Sequence, residues 1–195
     1  MLIYCPNYKY PHNYGFFNCF HGAQMFYKDL LNIFDERPID KSGEAIEILR
    51  KKFLLDAPEA VMKEIYYGLA GYETFQEAYG HIDLKTLKWK LVDLPIESLL
   101  EVRHATCYGM LNEEVEAYSL RGGIDFYGPE IASYWRTNGT WLEPPFFIER
   151  SIIESDASGI QLIEGHTRLG ALLGEFNHHS ITLAKTHKVF LAHRN

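Results

Sequence analysis

Apolar positions fall at helical spacing through the first part of the chain, and the spacing changes near residue 87. Ala23, Phe26, Tyr27, Leu30 and Phe34 recur every three or four residues, with Pro38 just beyond, which predicts a helix over 21–34. Ser42 is a candidate cap for a second helix, with Glu44 in its first turn and Ala45, Ile48, Leu49 and Phe53 as its buried stripe. Asp56-Ala57-Pro58-Glu59 combines a capping aspartate, an early proline and a reciprocal glutamate. It opens a third helix with Val61, Met62, Ile65 and Leu69 inward, stopped between Gly68 and Gly71. A short helix over Glu73–Tyr79 ends at Gly80, so residues 21–79 read as a small helical bundle.

From Leu87 the period is two. Leu87, Trp89 and Leu91 alternate with Lys88 and Lys90, the pattern of a strand with one wet face. Ser98-Leu99-Leu100-Glu101 caps a single turn. Asn112 starts a helix through Val115, Tyr118 and Leu120, closed by Arg121 and Gly122-Gly123, with Glu113, Glu114 and Glu116 as its charged face. Gly128-Pro129-Glu130 starts another, with Ile131, Tyr134 and Trp135 inward and Asn138-Gly139 as the stop. Residues 141–153 and 160–163 form a hairpin, and Ile181–Ala192 a closing strand on which His187, Val189, Leu191 and His193 share a face. The class is α+β: a helical N-terminal extension over 1–86, then a small mixed sheet with helices over 87–195.

The hairpin leads into Ile160–Gly174, a short apolar strand, a glycine turn and a helix. Glu164, Gly165, His166, Thr167 and Arg168 lie at the junction, where free N–H groups and the helix dipole favour an anion. Gly165 permits close backbone approach, Thr167 offers a hydroxyl, and Arg168 can fork onto a phosphate. Glu164 can hold a metal or take a proton. The plain alternative, an ordinary strand–turn–helix with a solvated arginine, needs no ligand.

Gly165-His166-Thr167-Arg168-Leu169-Gly170-Ala171 resembles the Gly-x-x-Arg-x-x-Ala signature of the ParB/sulfiredoxin-like superfamily. Pro144-Pro145-Phe146-Phe147-Ile148 resembles that family's Pro-Pro strand before the motif, and Leu91–Ile96 followed by Leu99-Leu100 its first strand and turn. The likeness covers roughly 87–195. It implies a motif helix that holds nucleotide phosphates, with Gly165, Thr167 and Arg168 as phosphate ligands and Arg103 as a second arginine after the first strand. It also implies Glu164 as magnesium ligand or base and His166 as acid/base. Sulfiredoxins carry a cysteine where His166 stands, so a sulfinic-acid reductase is not expected. Partitioning ParB proteins use Gly-Glu-Arg-Arg on CTP and a following DNA-binding domain; His166 and Thr167 depart from that motif, and the chain runs about one strand beyond it. The acidic-Gly-His-His-Arg pattern of kinase-like and nuclease-like members is nearer, with Thr167 the departure. The implied function is nucleotide or phosphate binding (ATP, ADP or CTP with magnesium), extending to phosphoryl transfer or hydrolysis. A non-enzymatic regulatory or partner-binding module on the same fold is the alternative, and whether the chain catalyses stays open.

Composition narrows the remainder. The 195 residues carry a net charge of −7, which argues against a broad nucleic-acid surface and disfavours a metal-dependent nuclease. No apolar run approaches 18 residues, and the N-terminus lacks a signal pattern, so a cytoplasmic chain without membrane contact is expected. Cys5, Cys19 and Cys107 fit reduced thiols. Cys5, His12, Cys19 and His21 do not have zinc-finger spacing and read as buried groups in an aromatic segment. That segment, 1–20, leaves room for an aromatic-lined pocket and the chain as a whole for a protein partner.

Overall fold

The computed structural model describes residues 24–34, 42–104 and 110–194, and the cysteines and the aromatic N-terminal segment lie outside them. The described helical part comprises α1 (Asp29–Phe34), α2 (Ser42–Lys51), a π-helix (Val61–Tyr67) and α3 (Glu73–Tyr79). The remainder comprises β1 (Leu87–Pro95), α4 (Ile96–Leu100), β2 (Arg103–His104), α5 (Met110–Leu120), α6 (Pro129–Asn138), β3 (Phe146–Glu149), α7 (Arg150–Ile153), β4 (Ile160–Glu164), α8 (His166–His178) and β5 (Thr186–Arg194). The fold is mixed α+β. Five strands are ordered β1-β5-β3-β4-β2. β1 runs antiparallel to β5, β3 parallel to β5 and antiparallel to β4, and β2 parallel to β4. Among the described residues the outer edge of β1 pairs with nothing.

Both faces of the sheet are covered, because alternate side chains along each central strand are apolar. Phe146, Ile148, Ile163 and Ala192 join Leu30, Leu49, Met62, Ile65 and Phe75 in one core cluster. Phe147, Leu162, Val189 and Leu191 turn the other way, onto Tyr118, Trp135, Leu169 and Leu172. The N-terminal helices therefore form a layer on one face, and α5, α6 and α8 a layer on the opposite face. The N-terminal layer is also tied to the sheet by polar contacts, with Gln161 Nε2 of β4 donating to the Tyr79 hydroxyl (2.9 Å) and Trp89 Nε1 of β1 to that of Tyr66 (2.9 Å).

Several expectations change on contact with tertiary structure. The first helix begins only at Asp29 among the described residues. Ahead of it Phe26 bridges to Asp83, and the Asp29 carboxylate accepts from the Phe26 N–H (2.8 Å), so that aspartate closes the helix entrance. Asp56 does not act as a cap but meets Lys88 of β1 (3.2 Å). The third helix is wound with one surplus residue per turn: Gly68 N–H donates to Lys63 O, five residues back (2.9 Å). On β1, Leu87 and Trp89 face the helical layer, whereas Leu91 on the same face lies beyond its cover and is 51 % exposed. Val92 and Leu94 take over on the other face. Along α6 Ala132 and Trp135 are inward and Ile131 is exposed. The hairpin is interrupted by α7, and the closing strand starts at Thr186, not Ile181. At the far end of α5, Leu120 is 90 % exposed.

Glu114 is the clearest departure from its expected place on a charged face. It is buried, and its carboxylate takes Arg121 Nη1 at 2.6 Å. The reason is the crossing of α5 and α8. Gly170 and Gly174, one turn apart on α8, let the two backbones approach closely. A Cβ on Gly170 would stand 2.6 Å from Glu114 Cβ, and one on Gly174 2.7 Å from Tyr118 Cδ1. At the end of α8 the buried Glu175 carboxylate accepts from Ser180 N (3.0 Å), Ile181 N (3.1 Å), Ser180 Oγ and the Tyr118 hydroxyl. Burial alone would push its pKa up, but those donors outweigh burial and hold it below the usual carboxylate range.

Two outcomes follow for stability. Gly174→Ala forces a methyl into the Tyr118 ring and lowers unfolding free energy by about 1–3 kcal/mol. Gly43→Ala, on α2 with open space around it, leaves stability equal or higher by up to about 1 kcal/mol; urea unfolding of both variants checks the contrast. Separately, the buried His187 ring meets Thr140 Oγ1 (2.9 Å), and desolvation holds its pKa below 6.5. The unfolded chain then binds the proton first. His187 therefore contributes stability fully above pH 6.5 and loses it as pH falls from there towards the folded pKa. The melting temperature of wild type falls on acidification below pH 6.5 more steeply than that of His187→Gln.

Candidate functional site at the β4–α8 junction

The junction is built by a β-bulge and a left-handed turn. In the antiparallel pair of β3 and β4 the register shifts beside Phe146, which faces Glu164, while Phe147 faces Leu162. Ile163 is the surplus residue. It keeps its side chain in the core cluster that also holds Phe146, and Glu164, still paired with Phe146, is the last residue of β4. Gly165 follows with φ +106°, a conformation in which a side chain is strained. There is also no space for one, since a Cβ would lie 2.5 Å from Pro145 Cβ and 3.2 Å from Arg168 Nε. The Gly-x-x-Arg spacing thus has a packing reason: the glycine lets the arginine, one turn into α8, fold back over the bend.

Arg168 is held from several sides. Nη1 donates to Pro144 O (3.1 Å) and Glu143 O (3.4 Å). Nη2 faces Glu64 Oε2 of the π-helix at 3.4 Å and Glu164 Oε1 at 3.8 Å. The guanidinium carbon stands 5.8 Å from the Phe146 ring centre. Its side chain is 22 % exposed, against 33 % for Glu64 and 35 % for Glu164, so the cluster is open to solvent on one side. A cation in the first turn of a helix opposes the helix dipole, and the two carboxylates offset that cost.

Glu164 has its pKa raised, chiefly by desolvation. The Arg168 charge and the Gly165 N–H pull it back down, and the Glu64 charge pushes it further up. A carboxyl displaced upward beside a guanidinium is better suited to holding or accepting a proton than an ordinary surface carboxylate.

The candidate residues are distributed as follows. Glu164, Gly165 and Arg168 converge. Thr167 is exposed on the first turn of α8, beside them in sequence, and His166 is buried there. Arg103 stands apart: it is exposed on β2 opposite Gln161, about 10 Å of strand before Glu164. Its side chain makes no hydrogen bond or ion pair among the described residues. For a metal, Glu164 has Glu64 as its carboxylate neighbour, a pair that suits a cation which keeps most of its water, as magnesium does. Among the described residues no group of three or more His, Cys, Asp or Glu side chains gathers as a closed site. Nor, among them, is any helix long and apolar enough to cross a membrane. Glu64 was not anticipated. Its signal is an acidic residue within Val61-Met62-Lys63-Glu64-Ile65-Tyr66-Tyr67, next to the buried stripe, but sequence alone does not say that this stretch ends beside the motif.

No protein-family model matches the chain, and comparison with curated proteins and with solved structures returns no match.

Carbon-13 NMR titration of the Glu164 carboxyl tests this electrostatic arrangement. The midpoint lies above 4.5 in wild type, moves higher in Arg168→Gln and moves lower in Glu64→Gln. A midpoint unchanged by both substitutions contradicts the coupling. Because the folded pKa is raised, the folded chain holds this proton more tightly than the unfolded one; that stabilisation is complete below pH 4.5 and is lost as pH rises from there through the folded pKa, and Glu164→Gln removes this pH dependence.

Proposed function

We propose that the β4–α8 junction binds the phosphate group of a nucleotide or related ligand, and that the chain is a magnesium-assisted phosphoryl-transfer or hydrolytic enzyme. The observation that carries the reading is the convergence of Arg168, Glu164 and Glu64 at the solvent-open N-terminal end of the thirteen-residue α8. The resemblance of Gly165–Ala171 to the ParB/sulfiredoxin-like signature supports it independently. In this reading Arg168 and the Thr167 hydroxyl take phosphate oxygens, with the first-turn N–H groups of α8 behind them. Glu164, with Glu64, holds magnesium through water or accepts the nucleophile's proton, and His166 serves as acid or base. The guanidinium stabilises charge on the transferring group. Arg103 contributes only to a ligand long enough to reach β2.

A second reading has its own observation. The Nη1 donor of Arg168 already serves two backbone carbonyls, and Nη2 already faces two carboxylates. That occupancy favours a non-enzymatic module in which the motif braces the fold, and a regulatory nucleotide or a protein partner binds without turnover. The net charge of −7 continues to weigh against a nuclease.

The readings separate in a thermal-shift panel of ATP, ADP, CTP and inorganic phosphate, with and without magnesium. For the enzyme, one nucleotide raises the melting temperature of wild type selectively; a hundredfold excess over Kd adds about 2.7 kcal/mol. Arg168→Lys, which keeps the charge and loses the fork, weakens binding at least tenfold, and Glu164→Gln abolishes the dependence on magnesium. Binding indifferent to magnesium and to Glu164→Gln points to the sensor. Absence of any shift from folded protein removes the phosphate reading.

A further inference from the structure

Arg168 is anchored on one side and loosely matched on the other. Nη1 is fixed by the Pro144 and Glu143 carbonyls, and the ring of Phe146 lies beneath the guanidinium. Nη2, at 3.4 Å from Glu64 and 3.8 Å from Glu164, is longer than the 2.7–2.9 Å of a tight charge-assisted bond. Closer pairing occurs elsewhere in the molecule, where Arg121 meets Glu114 at 2.6 Å and Arg136 meets Asp125 at 2.5 Å. The Nη2 side of Arg168 is therefore its exchangeable side.

The two carboxylates that face it differ in attachment. Glu164 belongs to the motif and takes the Gly165 N–H, so it stays with the turn. Glu64 comes from the helical layer on the other side of the sheet. Its oxygen occupies the position that an anionic ligand needs: near Nη2, at a helix N-terminus whose dipole calls for negative charge. A phosphate oxygen arriving there replaces Glu64 or sits beside it against like-charge repulsion.

We infer that Glu64 is an internal competitor for Arg168, a carboxylate latch from the helical layer that must leave Nη2 before an anion binds. This inference rests on the phosphate reading of the motif. It makes Glu64 a residue that acts through Arg168 and sets anion affinity, and it couples the helical layer to occupancy of the β4–α8 turn. A purely structural brace makes the opposite forecast: loss of Glu64 lowers stability and gives no gain in affinity.

The test measures affinity for inorganic phosphate and for ATP, each with and without magnesium, by calorimetric titration of the full chain. Wild type, Glu64→Gln, Glu64→Asp and Lys88→Gln are compared, with the melting temperature of each recorded. Without magnesium, where Glu64 can only compete for Arg168, Glu64→Gln binds the anion about fivefold more tightly than wild type, the order expected of a partly exposed ion pair. Glu64→Asp, whose shorter side chain withdraws the charge from Nη2, shifts affinity the same way by less and serves if Glu64→Gln does not fold. Lys88→Gln breaks another ion pair between the helical part and the sheet, with Asp56, and leaves affinity unchanged, which separates the latch from general loosening. Binding seen in Glu64→Gln but not in wild type supports the latch in its strongest form. Wild-type binding that Glu64→Gln and Glu64→Asp leave equal or weaker overturns the latch and leaves the phosphate site standing. No binding by wild type or any variant overturns both.

Discussion

The position of α8 is the constraint on which the rest of the structure depends, and three glycines impose it. Gly165 turns the chain against Pro145, and Gly170 and Gly174 bring the helix down onto Glu114 and Tyr118 of α5. None of these contacts has space for a side chain. The helix therefore cannot slide or rotate without a backbone collision, because packed interiors do not deform continuously. Its far end is tied by Glu175 to the chain at Ser180 and Ile181. A helix held at both ends and along its middle presents its first turn at a defined place on the sheet's rim, which is what a precise polar site requires.

On that platform the chemistry is assembled from separate parts of the chain. β4 delivers Glu164 through a bulge, α8 delivers Arg168, the segment before β3 delivers two carbonyls, and the π-helix delivers Glu64. The same guanidinium that can answer a phosphate is thus also a junction between layers. Binding and integrity are coupled at one side chain, and a variant of Arg168 reports on both. Substitutions at its neighbours are more informative, because they change the charge around the guanidinium while leaving its anchors in place.

Local pattern made much of this legible. The helices around Ala45–Phe53 and Glu73–Tyr79, the proline-started α6, the strand from Leu87 and the strand–glycine–helix at the motif all follow from periodicity and punctuation, since each is specified by residues close in sequence. What was not legible depended on distant neighbours. Leu91 follows the alternation of Leu87 and Trp89, yet it is exposed because the helical layer ends before reaching it. Glu114 belongs to a run of acids that reads as solvated, yet α8 covers it because two glycines on that helix allow the approach. Glu64 sits beside a core stripe, and only the fold shows that its carboxylate ends next to Arg168. Of the candidate site, the contiguous residues around Gly165 could be chosen from sequence; the second carboxylate could not, and Arg103 was chosen at a place the sheet holds apart.

The unpaired edge of β1 carries a consequence for how the molecule behaves among its own kind. Nine residues of strand with no partner on one side among the described residues are a template for another chain to extend the sheet, and such edges are a recognised route to aggregation. Lys88, Lys90 and Asp93 interrupt the apolar sequence of this edge, and Pro95 closes it with a residue that has no N–H to offer. Lys88 and Asp93 are also committed to Asp56 and Lys188. A strand approaching β1 therefore meets charges at close intervals, so the polar residues that mark this strand's alternation in the sequence also keep the sheet finite.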